Sequence, residues 1–216
     1  MLKIKVSEER KRFLAIFMVS ILIYSTITYV STTPRPKEQF FQLYALGETR
    51  MVEKYYPNDN STIPSGTPVK WFLGVTNCMG SVEYVIIKAK LGNQTLQQPN
   101  ETNVTPANIP TLIEFSRVLL DNETWETSFA WKIMNVDMRG EMAFLTLNIN
   151  NKTITVQDIG AKDGRNFRII FELWTLDKET ENLIFGWKTQ RQHRAAWLQI
   201  WFNATIPQQQ PITGSS

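Results

Sequence analysis

The chain has 216 residues, 43% of them hydrophobic and 12% aromatic, which is enough for one buried core with appendages and short of two full domains. Its net charge of +3 is unevenly placed: Lys3, Lys5, Arg10, Lys11 and Arg12 stand against Glu8 and Glu9 within residues 1–31, and the remainder balances at 18 basic and 18 acidic residues. A neutral remainder lacks the one-sided field that a phosphate backbone demands, so nucleic acid is excluded as a partner.

Residues 13–30, FLAIFMVSILIYSTITYV, hold no charged side chain, and as a helix they reach about 27 Å, close to the hydrocarbon thickness of a bilayer. Cations precede this run, and Ser31, Thr32, Thr33, Pro34 and Pro36 follow it. The positive-inside rule therefore assigns residues 1–12 to a cytoplasmic tail, 13–31 to a transmembrane signal anchor, 32–37 to a linker and 38–206 to a domain outside the cell membrane. A cleaved signal peptide has the same polarity. The run is longer than a usual signal-peptide apolar region, and no A-x-A-like site follows, which favours retention of the anchor. Within it Ser20, Ser25, Thr26 and Thr28 suit helix–helix contacts and also occur in lone anchors.

Beyond Pro36 the pattern is period-two alternation broken by Gly, Pro and Asn clusters, which predicts short antiparallel strands. Val69, Trp71, Leu73 and Val75 alternate with Lys70, Phe72, Gly74 and Thr76; Val82, Tyr84 and Ile86 share a face after a turn at Gly80-Ser81, and the pair reads as a core hairpin. Further strands are expected near 38–46, 112–120, 125–134, 142–149, 152–157, 166–176, 183–189 and 196–205, with turns at Asn150-Asn151 and Asp163-Gly164. This spacing predicts an all-β antiparallel sandwich. The stretch 92–111, with Pro99, Pro106 and Pro110, reads as a long loop, and residues 207–216 as a disordered tail.

Seven Asn-x-Ser/Thr acceptors, at Asn60, Asn93, Asn100, Asn103, Asn122, Asn151 and Asn203, all fall after the apolar run, where roughly two would arise by chance. Their placement predicts N-linked glycans on the outer domain and agrees with the charge rule on topology. Thr105 precedes Pro106, which makes Asn103 the weakest acceptor. Cys78 is the single cysteine, so no intrachain disulfide staples the domain, and it reads as a small buried residue in preference to a reactive thiol or an intermolecular bridge.

Several stretches carry a family likeness: Phe41-Gln42-Leu43-Tyr44-Ala45-Leu46-Gly47, Tyr56-Pro57, Gly66, Gly74-Val75-Thr76-Asn77, Val82-Glu83-Tyr84-Val85-Ile86, Asn122-Glu123-Thr124-Trp125 and the strand 167–173. Across residues 38–134 and 166–203 the chain resembles an archaeal membrane-anchored protein family, domain of unknown function 1616. The resemblance implies an extracytoplasmic immunoglobulin-like antiparallel β-sandwich after the membrane segment, and it implies no reaction. Here a single N-terminal transmembrane helix replaces the several of many relatives, Cys78-Met79 stands where the family has His-Glu, and residues 141–158 look like an added hairpin.

The inventory for catalysis is poor: one His, one Cys, no Gly-rich phosphate loop and nothing that calls for a metal or cofactor. His193 between Arg191 and Arg194 could hold a small anion and reads more simply as a solvated hairpin loop. Glu123 and Glu126 bracket Trp125 and read as surface charges, which leaves a carbohydrate-active enzyme the weakest alternative. In the last strand Leu198, Ile200 and Phe202 alternate with Trp197, Gln199 and Trp201, so Trp197 and Trp201 are expected on the outer face, with Trp174 and Ile170 beside them. Such a patch is the candidate contact for another envelope protein, unless the 92–111 loop or the 141–158 hairpin covers it. The other reading is an accessory subunit of a larger membrane complex.

Overall fold

A run with no charge from Phe13 to Val30 has no alternative to helix where water is absent, because only the intrahelical ladder satisfies every peptide group. The computed structural model describes residues 8–33, 38–190 and 192–206, and it places Glu8–Thr32 in one 25-residue helix, α1. From Phe13 to Val30 α1 is apolar around its whole circumference, with Phe13, Phe17, Leu22 and Tyr24 all exposed, and the helix buries none of its side chains. The helix is long and apolar enough to cross a membrane. Its hydroxyls turn back on its own carbonyls: Ser20 donates to Ile16 O at 2.9 Å, Thr26 to Leu22 O at 2.8 Å and Thr28 to Tyr24 O at 2.9 Å. The expected tail lysines Lys3 and Lys5, the linker residues 34–37, Arg191 and the tail 207–216 lie outside the described residues.

The chain divides into this N-terminal unit and a second unit beginning at Glu38. The second unit consists of strands β1 (Phe40–Leu46), β2 (Thr62–Ile63), β3 (Val69–Cys78), β4 (Glu83–Asn93), β5 (Thr111–Leu119), β6 (Thr124–Arg139) and β7 (Met142–Ile149). It continues with β8 (Lys152–Lys162), β9 (Phe167–Leu176), β10 (Leu183–Phe185), β11 (Trp187–Lys188), β12 (His193–Arg194) and β13 (Trp197–Ala204). One sheet runs β1-β3-β6-β7-β8; the other runs β2-β13-β9-β4-β5, with β10 on β9, and β11 pairs with β12. Every pairing is antiparallel except β2 with β13.

The alternation read from the sequence sorts inward from outward residues as expected in β3, whereas in β4 the row Val85, Ile87, Ala89 and Leu91 enters the core and the expected row Val82, Tyr84 and Ile86 lies on the opposite face. Trp71 of β3 stacks on Phe129 of β6 at 5.8 Å, and Phe129 meets Phe171 of β9 edge-on at 4.9 Å. Trp131 of β6 lies 4.8 Å from Phe202 of β13. These rings join the inner faces of the two sheets into one core, and full burial of each contributes about 1.5–3 kcal/mol. The Asn150-Asn151 turn forms as expected, with both residues at positive φ (45° and 68°), the backbone that a two-residue hairpin requires.

Three further expectations are corrected. β3 and β4 do not form a hairpin: β3 pairs with β1 and β6, and β4 with β5 and β9, so Gly80 hands the chain from one sheet to the other. β4 is a central strand buried on both sides, and alternation alone does not name its neighbours. The 141–158 hairpin is no appendage, since Ala143, Leu145, Leu147 and Ile149 of β7 are all core residues. The strand expected at 183–189 is split at Gly186 (φ 76°), where a Cβ would come within 1.9 Å of Arg194 O.

Candidate functional site

The outer face of the second sheet is built by register. Trp197 of β13 lies opposite Glu172 of β9, and Trp201 opposite Arg168. Across β9, Trp174, Glu172 and Ile170 face Ile86, Lys88 and Lys90 of β4. All of these side chains point away from the core, yet Ile170 and Glu172 are 0% exposed, Arg168 3% and Lys90 4%.

The segment between β4 and β5 covers them. Lys90 Nζ donates to Ala107 O at 2.7 Å, Ala107 N donates to Glu172 Oε1 at 2.7 Å, and Lys90 pairs with Glu172 Oε2 at 2.9 Å. Trp174 Nε1 donates to Glu172 Oε2 at 3.0 Å, and the Lys88 ammonium sits 4.1 Å above the Trp174 ring. Further along, Arg168 donates to Gln199 Oε1 at 2.7 Å and to Leu96 O, and its guanidinium lies 5.0 Å over the Trp201 ring. Burial lowers the Arg168 pKa. Trp174 and Ile170 thus belong to a polar layer under the 94–110 segment. Of the three tryptophans, Trp174 and Trp197 are half-buried, and Trp201 is 37% exposed. The Trp197 indole N–H is buried without a partner, and Tyr56 donates its hydroxyl to Trp201 O.

The residues considered for chemistry are held by neighbours. Glu123 accepts from Arg117 at 3.0 Å and from Leu120 N at 2.9 Å; Glu126 accepts from the Tyr44 hydroxyl at 3.1 Å and from Arg50 at 3.3 Å. Burial, then the Glu126 hydrogen bond, pushes Tyr44 above the usual phenol range. His193 Nε2 lies 2.9 Å from Phe185 O, and Arg194 pairs with Glu38 at 3.0 Å. Asp177, at the end of β9, is held down to about 2 by Lys188 foremost, then by the Glu179 N–H and the Thr180 hydroxyl. No three His, Cys, Asp or Glu side chains among the described residues gather as metal ligands.

The seven acceptor asparagines separate by environment. Asn60, Asn103, Asn122 and Asn151 are exposed, and Asn100 and Asn203 are half-buried. Asn93 is 8% exposed; its Nδ2 donates to Gly160 O at 2.7 Å, while its Oδ1 accepts from Thr95 N and Leu96 N. Cys78 is half-buried and unpaired.

Sequence reasoning passed over Asn77, which is 0% exposed. Its Nδ2 reaches Ser81 O, Leu119 O and Leu120 O at 2.8–3.1 Å, and its Oδ1 accepts from Met79 N. It binds the β3–β4 crossover to the end of β5. The Lys90–Glu172 pair was missed as well, although single charges inside the apolar strands VIIKAKL and RIIFELW are a readable signal of a covered face. Compared with known protein families the chain matches no family model, and no curated protein matches it.

Proposed function

We propose that the chain is a single-span signal-anchored protein, its N-terminus cytoplasmic and its N-glycosylated β-domain outside the cell, where that domain binds another envelope protein. The observation that carries this reading is the 13–30 stretch of α1, which is greasy on every side, buries nothing and follows the cations Arg10, Lys11 and Arg12.

An immunoglobulin-like topology is part of this proposal. In chain order β1, β3 and β6 lie side by side as strands A, B and E do, and β13, β9 and β4 as G, F and C do, with β5 beside C. β7 and β8 extend the first sheet beyond the E position. Kinship with the archaeal anchored family that the sequence resembles is a further part of the proposal.

The contact surface is proposed at the β13 margin, where the 94–110 cover leaves Trp201 in solvent beside half-buried Trp197. Exposed tryptophan at a strand edge supplies large contact area at small entropic cost. Trp197→Ala with Trp201→Ala is expected to leave the domain folded and to abolish co-purification of a stoichiometric companion from native membranes. Unchanged co-purification defeats the reading.

A further inference from the structure

A cleft of about 550 Å³ opens between the segment that follows β1 and the first sheet, within the roughly 300–1,000 Å³ range of ligand pockets. Its walls carry the aromatic rings of Tyr55, Tyr56 and Trp131, and its charges are Lys54, Lys70 and Lys132 against the single carboxylate of Glu48. None of the three ammonium groups has a carboxylate within ion-pair distance among the described residues; Lys70 lies over the Phe72 ring at 5.1 Å. Trp131 is 2% exposed, and its indole N–H has no acceptor. The indole edge is enclosed, so Trp131 contributes to the cleft as part of its wall.

Asn150 is already spent at this wall: its Oδ1 accepts from Ala130 N at 2.8 Å, and its Nδ2 donates to Ser128 O at 3.0 Å. Asn151, next in the same turn, is an exposed glycan acceptor and also lines the cleft. Aromatic faces beside amides suit the alternating apolar and hydroxylated surfaces of a sugar, and surplus ammonium groups suit a carboxylate.

We infer that this cleft binds an acidic saccharide, a short sugar chain bearing carboxylates. Lys54 and Lys132 meet the charges, and Tyr55 and Tyr56 pack on ring faces beside the wall that Trp131 forms. The saccharide has two possible sources, the glycan on Asn151 itself or a separate envelope polysaccharide. The first source rests on the outside placement proposed above; the chemistry of the cleft does not.

The test titrates unglycosylated full-length protein in detergent with tri-galacturonic acid, followed by calorimetry and by the indole N–H resonances. Saturable binding is expected, with a shift of the Trp131 N–H signal and at least tenfold weaker binding of neutral maltotriose. Lys54→Glu with Lys132→Glu, both away from the core, is expected to weaken binding at least tenfold while the other indole signals stay in place. Absence of saturation, equal binding of maltotriose or of a hexaglutamate peptide, or an unchanged affinity in the lysine variant overturns the proposal. Glycosylated protein that takes up the trisaccharide only after Asn151→Gln identifies its own glycan as the occupant, and uptake regardless of that change identifies a separate polysaccharide. Because the titration uses bare protein, its failure is distinct from a failure of the membrane topology.

Discussion

At Glu172 one buried carboxylate accepts from the Lys90 ammonium, the Ala107 peptide N–H and the indole of half-buried Trp174. Removing one partner of a buried pair costs far more than the pair itself contributes, because the survivor keeps its charge without compensation. Glu172→Gln is therefore expected to lower stability by about 3–5 kcal/mol in urea denaturation. Lys90→Met added to it should recover part of that loss, since no orphaned ammonium remains. A cost below about 1 kcal/mol for the single change contradicts the geometry. The Ala107 N–H should also exchange faster with solvent in Glu172→Gln, since one neutral amide oxygen then faces three donors in place of two charged carboxylate oxygens.

Between residues and elements lies the corner where β9 turns into β10 and β11. Asp177 closes it, accepting from Lys188 at 2.6 Å, from Glu179 N at 3.1 Å and from Thr180 Oγ1 at 2.9 Å. Its folded pKa of about 2 lies below the unfolded value of 3.8. The corner's contribution is therefore complete above about pH 4 and is lost as pH falls through 4 toward 2. Asp177→Asn is expected to remove this increment at neutral pH and to flatten the pH dependence of the urea midpoint in that acid window. A wild-type slope retained by the variant would place the acid sensitivity elsewhere.

Element by element, the sequence disclosed what depends on local periodicity. β1, β7 and β13 fall within two residues of their expected bounds because each has one wet and one dry face, and period two is then visible. Partnership was hidden: β3 and β4 are adjacent in sequence and alternate alike, yet they go to opposite sheets. Asn77 ties the crossover between them to the end of β5, through carbonyl partners up to 43 residues away. The cover over Trp174 was hidden for the same reason, since a proline-rich stretch without period carries no sign of which face it lies against. The cleft beside Trp131 is assembled from four separated segments, so no local pattern announces it.

For the whole molecule, topology and sugar placement stand or fall together. On intact cells, added protease should remove the β-domain, and glycopeptide mass spectrometry should find sugar on Asn60, Asn122 and Asn151. Asn93 is expected to remain bare in the folded protein, because its amide is engaged with Gly160 O beneath the surface. Protection from protease with every acceptor bare would remove the proposed location.

The parallel pairing of β13 with β2 has a consequence for biogenesis. The last strand closes the second sheet by fitting between β9 and a segment made some 140 residues earlier, and it seats Phe202 against Trp131. A nascent chain halted before Trp197 therefore leaves one margin of β9 unzipped and a vacant socket in the aromatic core. Maturation must wait for the final stretch to emerge, and until then the half-made domain offers chaperones a sticky edge to hold.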